Sequence, residues 1–172
     1  IGSLSRASIN RTVAQHLAAQ APEGVVVEEV QIGDLPLYTQ DLDSESIPAY
    51  ERVRAQLQAA DAVLLVSPEH NRSMPAAVKN LLDIASRPAG KSLWGGKKTA
   101  VITASPGSYG GINSGLHIRQ SLQAMSADVM IAPEVFLSRA HTALADGQVS
   151  DARTAAFLNK FAAAFYAWAQ AE

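Results

Sequence analysis

The sequence of 172 residues contains no cysteine. This absence excludes disulfide bridges, thiolate nucleophiles, and zinc or iron–sulfur sites with cysteine ligands. Any redox chemistry must therefore come from a bound cofactor.

Strong net charge and long apolar runs are also absent. The formal charge is −2 and the pI about 6.1, and the fourteen lysines and arginines are scattered, which argues against nucleic acid as a partner. No apolar run approaches the roughly 20 residues of a membrane span, and no signal peptide pattern opens the chain. We therefore expect a cytoplasmic protein that binds neither nucleic acid nor a membrane.

Hydrophobic residues make up 48% of the chain, enough for a substantial core. No repeat, low-complexity tract or linker divides it, so we predict a single domain over residues 1–172.

The most informative stretch is the apolar run Val63–Val66, which is typical of a strand buried on both faces of a parallel sheet. Ser67 and Pro68 end the strand, and Pro75 suits the first turn of a following helix. The polar residues between them lie at the carboxyl end of a strand, where open α/β sheets bind ligands.

Strands and helices alternate along the rest of the chain. This alternation predicts a doubly wound parallel sheet between two helix layers. The predicted strands cover residues 25–30, 62–67, 99–104 and 129–132, and the predicted helices begin near residues 9, 48, 75, 116 and 151.

Three polar loops, Ser3–Asn10, Pro68–Ser73 and Ser105–Gly111, each follow a strand, and they should meet at one edge of the sheet if the crossovers are right-handed and the strands parallel. In the first loop, Ser3, Ser8 and Arg6 surround a helix N-terminus, which favours an anion such as phosphate, although Ser8 could simply cap the helix. The glycine-rich third loop, Ser105–Gly111, would let a flat ring approach the backbone. Together the loops predict a pocket for a phosphorylated planar cofactor.

Other chemistries lack their motifs. The chain has no Gly-x-Ser-x-Gly elbow for a hydrolase and no phosphate-binding loop that ends in Gly-Lys-Ser/Thr. His70 follows Glu69, but no second histidine stands at ligand spacing, so we predict no metal site.

Residues 2–10 (GSLSRASIN), 68–83 (PEHNRSMPAAVKNLLD) and 105–111 (SPGSYGG) resemble the three FMN-binding segments of the NAD(P)H-dependent FMN reductase family, which includes bacterial chromate and quinone reductases. The resemblance implies a flavodoxin-like three-layer α/β/α sandwich with a five-stranded sheet in the order 2-1-3-4-5. It also implies FMN as cofactor, NADPH or NADH as co-substrate, and a homodimer or homotetramer. The acceptor would be a quinone, free flavin, azo compound or chromate-like anion.

The resemblance also implies the residues that bind the cofactor. No residue is expected to act as catalytic acid or base, because the flavin N5 accepts the hydride. The chain departs from the family at Ser5 and His70, where relatives usually have arginine and tyrosine. The expected FMN-binding residues are Ser3, Arg6, Ser8, Asn10, Pro68, Glu69, His70, Asn71, Ser73, Ser105, Gly107, Gly110 and Gly111.

Two other functions stay open from the sequence. One is a flavodoxin-like FMN electron carrier that does not oxidise NAD(P)H, although such carriers tend to be strongly acidic. The other is an interaction domain of the same fold without FMN.

Two structural expectations complete the prediction. The apolar arc Leu81, Leu82, Ile84 and Ala85 is wider than one sheet face needs, which favours a two-fold homo-oligomer. In the order 2-1-3-4-5 the first strand lies between the strands at 25–30 and 62–67, and only Ile1 precedes Gly2. We therefore expect Ile1 to be the last residue of a trimmed first strand.

Overall fold

Helices and strands alternate along the chain in a computed structural model that describes residues 1–171. The α-helices are α1 (Ile9–Ala18), α2 (Pro48–Ala59), α3 (Ala76–Ala85), α4 (Ile112–Ala124) and α5 (Ala152–Gln170). The strands are β1 (Ala62–Ser67), β2 (Lys98–Ala104), β3 (Asp128–Val129), β4 (Val135–Leu137), β5 (Leu144–Ala145) and β6 (Gln148–Val149).

The main sheet is parallel. β1 pairs with β2 over its whole length, and β2 pairs on its other side with β3 and then with β4. The short β5 and β6 form a separate antiparallel pair. The single strand predicted over 129–132 is wrong, because β3 and β4 form one edge in two pieces. Pro133, which has no N–H to give to a ladder, lies in the gap between them.

The strand predicted over residues 25–30 is also wrong for the described chain, since none of these residues pairs in a ladder and Val26 is 91% exposed. In the order 2-1-3-4-5 this segment pairs only with the first strand. The amide of Gly2 donates to the carbonyl of Val66 over 2.8 Å, so the chain meets β1 at the place expected for the end of that strand. Among the described residues, no segment forms a ladder with residues 25–30.

The core lies on both faces of the sheet. Alternate strand residues point to opposite sides: Val66 and Ile102 join one cluster, while Leu65 and Val101 join the other. Helices α1 and α5 cover the first face, and helices α2, α3 and α4 cover the second. The arrangement is the predicted helix–sheet–helix sandwich.

Helix α3 corrects one sequence argument. The side chains of Leu81, Leu82, Ile84 and Ala85 are at most 3% exposed within the single chain. Part of this cover comes from Trp94, whose indole N–H donates to the carbonyl of Leu82 over 3.0 Å. The apolar arc therefore leaves no surface for a second subunit, and it cannot support a homo-oligomer.

Helix α5 carries a stripe of aromatic residues. Phe161 and Phe165 are buried with Leu158 against α1 and the sheet, while Phe157 is 41% exposed.

Across residues 1–171, no helix combines the length and the apolar character needed to cross a membrane.

Candidate functional site

The first loop runs from Gly2 to Ser8, at the carboxyl end of β1. Only glycine fits at position 2 without a shift of its neighbours, because a Cβ atom there would lie 2.7 Å from the Val78 side chain and 2.8 Å from Ser67 Oγ, which is too close. Ser8 is the N-cap of α1, and its Oγ accepts a hydrogen bond from the amide of Arg11 over 3.1 Å. A hydroxyl that accepts one bond keeps its own proton to donate. The cap and a phosphate contact are therefore compatible at Ser8.

The charge near this loop comes from Arg6. Among residues 1–171 no carboxylate pairs with Arg6, whose side chain is exposed, whereas Arg11 is engaged with Glu29 at 2.7 Å. The hydrogen bond from Arg11 lowers the pKa of the Glu29 carboxyl. Arg6 is thus the cation available to an anion at the start of α1.

Asn10 joins the first loop to the end of β2. It is 3% exposed, and its Nδ2 donates to the carbonyl of Ala104 over 3.1 Å. Its Oδ1 is buried without a protein partner among the described residues. Since buried polar atoms are nearly always hydrogen-bonded, this oxygen is a candidate acceptor for a ligand donor.

Glu69, in the second loop, spans to helix α4. Its Oε2 accepts hydrogen bonds from the amides of Asn113 at 2.9 Å and Ser114 at 3.2 Å. The N-cap residue of α4 is Gly111, which has no side chain to satisfy these first-turn amides. Glu69 therefore supplies the cap, and it fixes the second loop to the third.

The rest of the second loop is a tight turn. The backbones of His70 and Ser73 exchange two hydrogen bonds of 2.9 and 3.0 Å, and the residues between them, Asn71 and Arg72, both have positive φ. Ser73 Oγ lies 2.9 Å from Nδ1 of His117 on α4. The turn is thus held at both its base and its side.

Two glycines of the third loop are required by the fold. Gly110 has φ +63°, and a Cβ there would lie 2.6 Å from the carbonyl oxygen of Phe136. Gly111 has φ +79° and is pressed against Thr103, whose Oγ1 donates to the carbonyl of Gly110 over 2.7 Å. Both glycines are buried, whereas Gly107 is exposed. The sequence reasoning missed Thr103, because nothing near it in sequence marks it as part of the loop.

The three loops therefore meet at one edge of the sheet, as predicted.

Comparison with known proteins gives the family of the chain. The family model described as NADPH-dependent FMN reductase matches residues 1–142. The chain belongs to this family.

Relatives and a solved structure agree with this. A quinone reductase of Pseudomonas putida is 42% identical over 98% of this chain and 91% of its own length. An NAD(P)H-dependent FMN reductase of Pseudomonas aeruginosa is 35% identical over 97% and 91%. The solved structure of FerB, a flavoenzyme NAD(P)H:(acceptor) oxidoreductase from Paracoccus denitrificans, has a TM-score of 0.90 at 36% identity over 98% of this chain and 93% of that chain.

The predicted fold class, cofactor and class of activity are thereby confirmed. The protein is an FMN-dependent oxidoreductase that uses NAD(P)H and has a flavodoxin-like fold. An electron carrier without NAD(P)H oxidation is disfavoured by this membership. Within residues 1–171, no group of three histidine, aspartate or glutamate side chains is placed to hold a metal ion.

The residues at the loops fit FMN. Ser8 has a spare hydroxyl proton, Arg6 has an unpaired charge in the described chain, and Asn10 has a buried acceptor without a partner. Ser105 accepts from the amide of Gly107 over 3.1 Å, so the exposed part of the third loop is ordered by its own hydrogen bond. The donors and the positive charge suit the phosphate, while the exposed loop backbone suits a planar ring.

Proposed function

We propose that the protein transfers electrons from NAD(P)H, by way of FMN, to a quinone. The observation that carries the proposal is the meeting of the three loops, which Asn10 and Glu69 tie into one site at the sheet edge. The acceptor class is supported by relatives, among them the Pseudomonas putida quinone reductase and a 2-hydroxy-1,4-benzoquinone reductase of Burkholderia, 38% identical over 98% of this chain.

In this proposal the first loop holds the FMN phosphate. Ser3 and Ser8 donate hydrogen bonds to it from their hydroxyl groups, and Arg6 supplies the positive charge. The α1 N-terminus adds its unpaired amides, and no acidic residue stands in the first turn to oppose an anion. Asn10 supports the site indirectly, because its side-chain Nδ2 donates a hydrogen bond to the carbonyl of Ala104.

The second and third loops hold the flavin ring. Pro68, His70 and Asn71 form one side, with Ser73 fixing their turn, and Ser105 and Gly107 form the other. Glu69, Gly110 and Gly111 set the spacing of the two sides, because their contacts are internal to the protein. When bound, FMN supplies the chemistry, which is acceptance of a hydride and transfer of electrons to a second substrate. The protein binds and orients, so we assign no catalytic acid or base.

An anaerobic half-reaction tests the donor and the acceptor separately. FMN-loaded protein should lose its flavin absorbance when NADPH or NADH is added without oxygen, and a quinone should restore it. Failure to bleach at millimolar nicotinamide would support the electron carrier instead. Restoration by free flavin, an azo compound or chromate, but not by quinone, would reject the quinone as acceptor while leaving the donor reaction intact.

The phosphate site has its own test. Ser8→Ala should weaken binding of FMN more than binding of riboflavin, which lacks the phosphate. Asn10→Ala should weaken both equally, because Asn10 ties two loops together. If Ser8→Ala weakens both ligands to the same degree, the first loop does not hold the phosphate.

We also propose a two-fold homo-oligomer in the cytoplasm, where NAD(P)H is supplied. Since the arc of α3 is buried, the support comes from other apolar groups, among them Leu37 at 78% and Ile131 at 86% exposure. Light scattering at micromolar concentration tests the assembly, and a monomer would reject it.

A further inference from the structure

Arg72 and Tyr109 connect the outer ends of the second and third loops. The guanidinium carbon of Arg72 lies 4.5 Å above the centre of the Tyr109 ring, within the range of a cation–π contact. Tyr109 is 64% exposed, and Arg72 is exposed as well. The stack therefore orients the guanidinium while leaving its N–H groups open to solvent. We call these two residues the Arg72–Tyr109 clasp.

The backbone at the clasp is costly for an arginine. Asn71 and Arg72 have φ of +49° and +65°, at the centre of the turn closed by His70 and Ser73. Two consecutive positive φ values favour Asn, Asp or Gly, so Arg72 occupies a conformation that its side chain makes unfavourable. A strained residue that persists beside a functional site points to a role for its side chain.

The charge of Arg72 is not used by the fold. In the part of the chain that the structure describes, no carboxylate pairs with Arg72. The arginines that form ion pairs there are Arg11, Arg52, Arg87 and Arg119. The described hydrogen bonds from arginine side chains also leave Arg72 out. Its five N–H donors therefore remain available to an anion from solution.

We propose that Arg72, oriented by Tyr109, binds a phosphate group of the nicotinamide co-substrate. A guanidinium fork matches two phosphate oxygens, and NAD(P)H brings a pyrophosphate and, in NADPH, a 2′-phosphate. The clasp stands at the rim between the two loops proposed to hold the ring, so a nicotinamide that reaches the ring brings its phosphates past the rim. The FMN phosphate is assigned elsewhere, to Ser8 and Arg6.

The inference rests on the nicotinamide half-reaction, and it is independent of the acceptor. If quinone fails to reoxidise the bleached protein, the proposed acceptor is wrong and the role of Arg72 is unaffected. If nicotinamide binds normally to an Arg72 variant, the role of Arg72 is wrong and the acceptor is unaffected.

The test is equilibrium binding of NADP⁺ and NAD⁺ to FMN-loaded protein by calorimetry. Arg72→Gln should raise the Kd at least about 10-fold for one or both, a loss equivalent to about 1.4 kcal/mol. Loss for NADP⁺ alone identifies the 2′-phosphate as the ligand, and equal loss identifies the pyrophosphate. Arg153→Gln, on an exposed residue in the first turn of α5, removes the same charge away from the loops and should change neither Kd by more than about two-fold.

Tyr109 variants separate orientation from charge. Tyr109→Phe keeps the ring and should bind nicotinamide as the parent does, whereas Tyr109→Leu removes the support of the guanidinium and should raise the Kd about three-fold, within the known strength of exposed cation–π pairs. An unchanged Kd for both nucleotides in Arg72→Gln overturns the proposal. So does an equal weakening of FMN itself, because Arg72 would then serve the loop or the cofactor.

Discussion

Glu69 offers the sharpest test of how the site is assembled. Its Oε2 accepts hydrogen bonds from two first-turn amides of α4, at 2.9 and 3.2 Å. The N-cap residue, Gly111, has no side chain that could replace them. Glu69→Ala removes both bonds at once. Loss of a side-chain cap costs about 0.5–2 kcal/mol, and bonds to a charged group lie at the upper end, so we expect about 2 kcal/mol. In a chain of this size that lowers Tm by about 4–8 °C.

Glu69→Gln should be milder for a geometric reason. Both amides bond to the same carboxylate oxygen, so the single carbonyl oxygen of glutamine can replace it. Only the charge and its interaction with the helix dipole are lost, which amounts to about 1 kcal/mol or about 2–4 °C in Tm. The order alanine below glutamine below parent is the specific expectation.

Thermal melts with and without FMN measure these effects, together with fluorescence titration of FMN. Glu69→Ala should weaken FMN binding about 10-fold, which corresponds to about 1.4 kcal/mol. The reason is that the second and third loops lose the hydrogen bonds that join them. Glu23→Ala is the control, since Glu23 is an exposed carboxylate in a turn, and its Tm should stay within about 2 °C. Melts of both Glu69 variants that match this control would refute the capping role.

The remaining predictions concern the fold around the site. Asn10→Ala should lower the free energy of unfolding in urea by about 1–3 kcal/mol, because it leaves a buried carbonyl at the end of β2 unpaired. Gly110→Ala should destabilise more than Gly147→Ala: both have positive φ, costing about 1–2 kcal/mol, but only Gly110 has a backbone oxygen 2.6 Å from the new Cβ. Equal urea midpoints would contradict this. The Arg11 hydrogen bond lowers the folded pKa of Glu29, so its contribution, below about 1 kcal/mol for this partly exposed pair, is present above the unfolded pKa of about 4.3 and disappears as pH falls through the folded pKa. Parent and Glu29→Gln should therefore converge in stability in acid, and a constant difference from pH 7 to pH 2 would reject the assignment.

Short-range pattern was enough to predict much of this protein. The run at Val63–Val66 became β1, and the alternation of elements predicted the sandwich, because apolar periodicity reflects which faces are buried. The meeting of the three loops followed from topology, since the carboxyl ends of parallel strands share one edge. The resemblance of the loop segments then indicated FMN and NAD(P)H, which the family membership confirmed.

Contacts between distant residues were beyond the sequence. Glu69 and Asn113 are 44 positions apart, and their bond joins a carboxylate to a backbone amide, a group that every residue but proline carries. No local pattern can select that pairing. The same holds for Gly110, where the neighbouring β4 strand leaves no room for a Cβ atom.

Tertiary partners also decided where the sequence predictions were wrong. Residues 25–30 have the composition of a strand, but a strand exists only when another pairs with it, and the described chain supplies no partner there. The sequence predicted a subunit interface at the apolar arc of α3, but Trp94 and the sheet cover this arc within the single chain. Sequence thus determined which residues are apolar, polar or flexible, while the tertiary structure decided which of them meet, because burial and hydrogen bonding are properties of pairs.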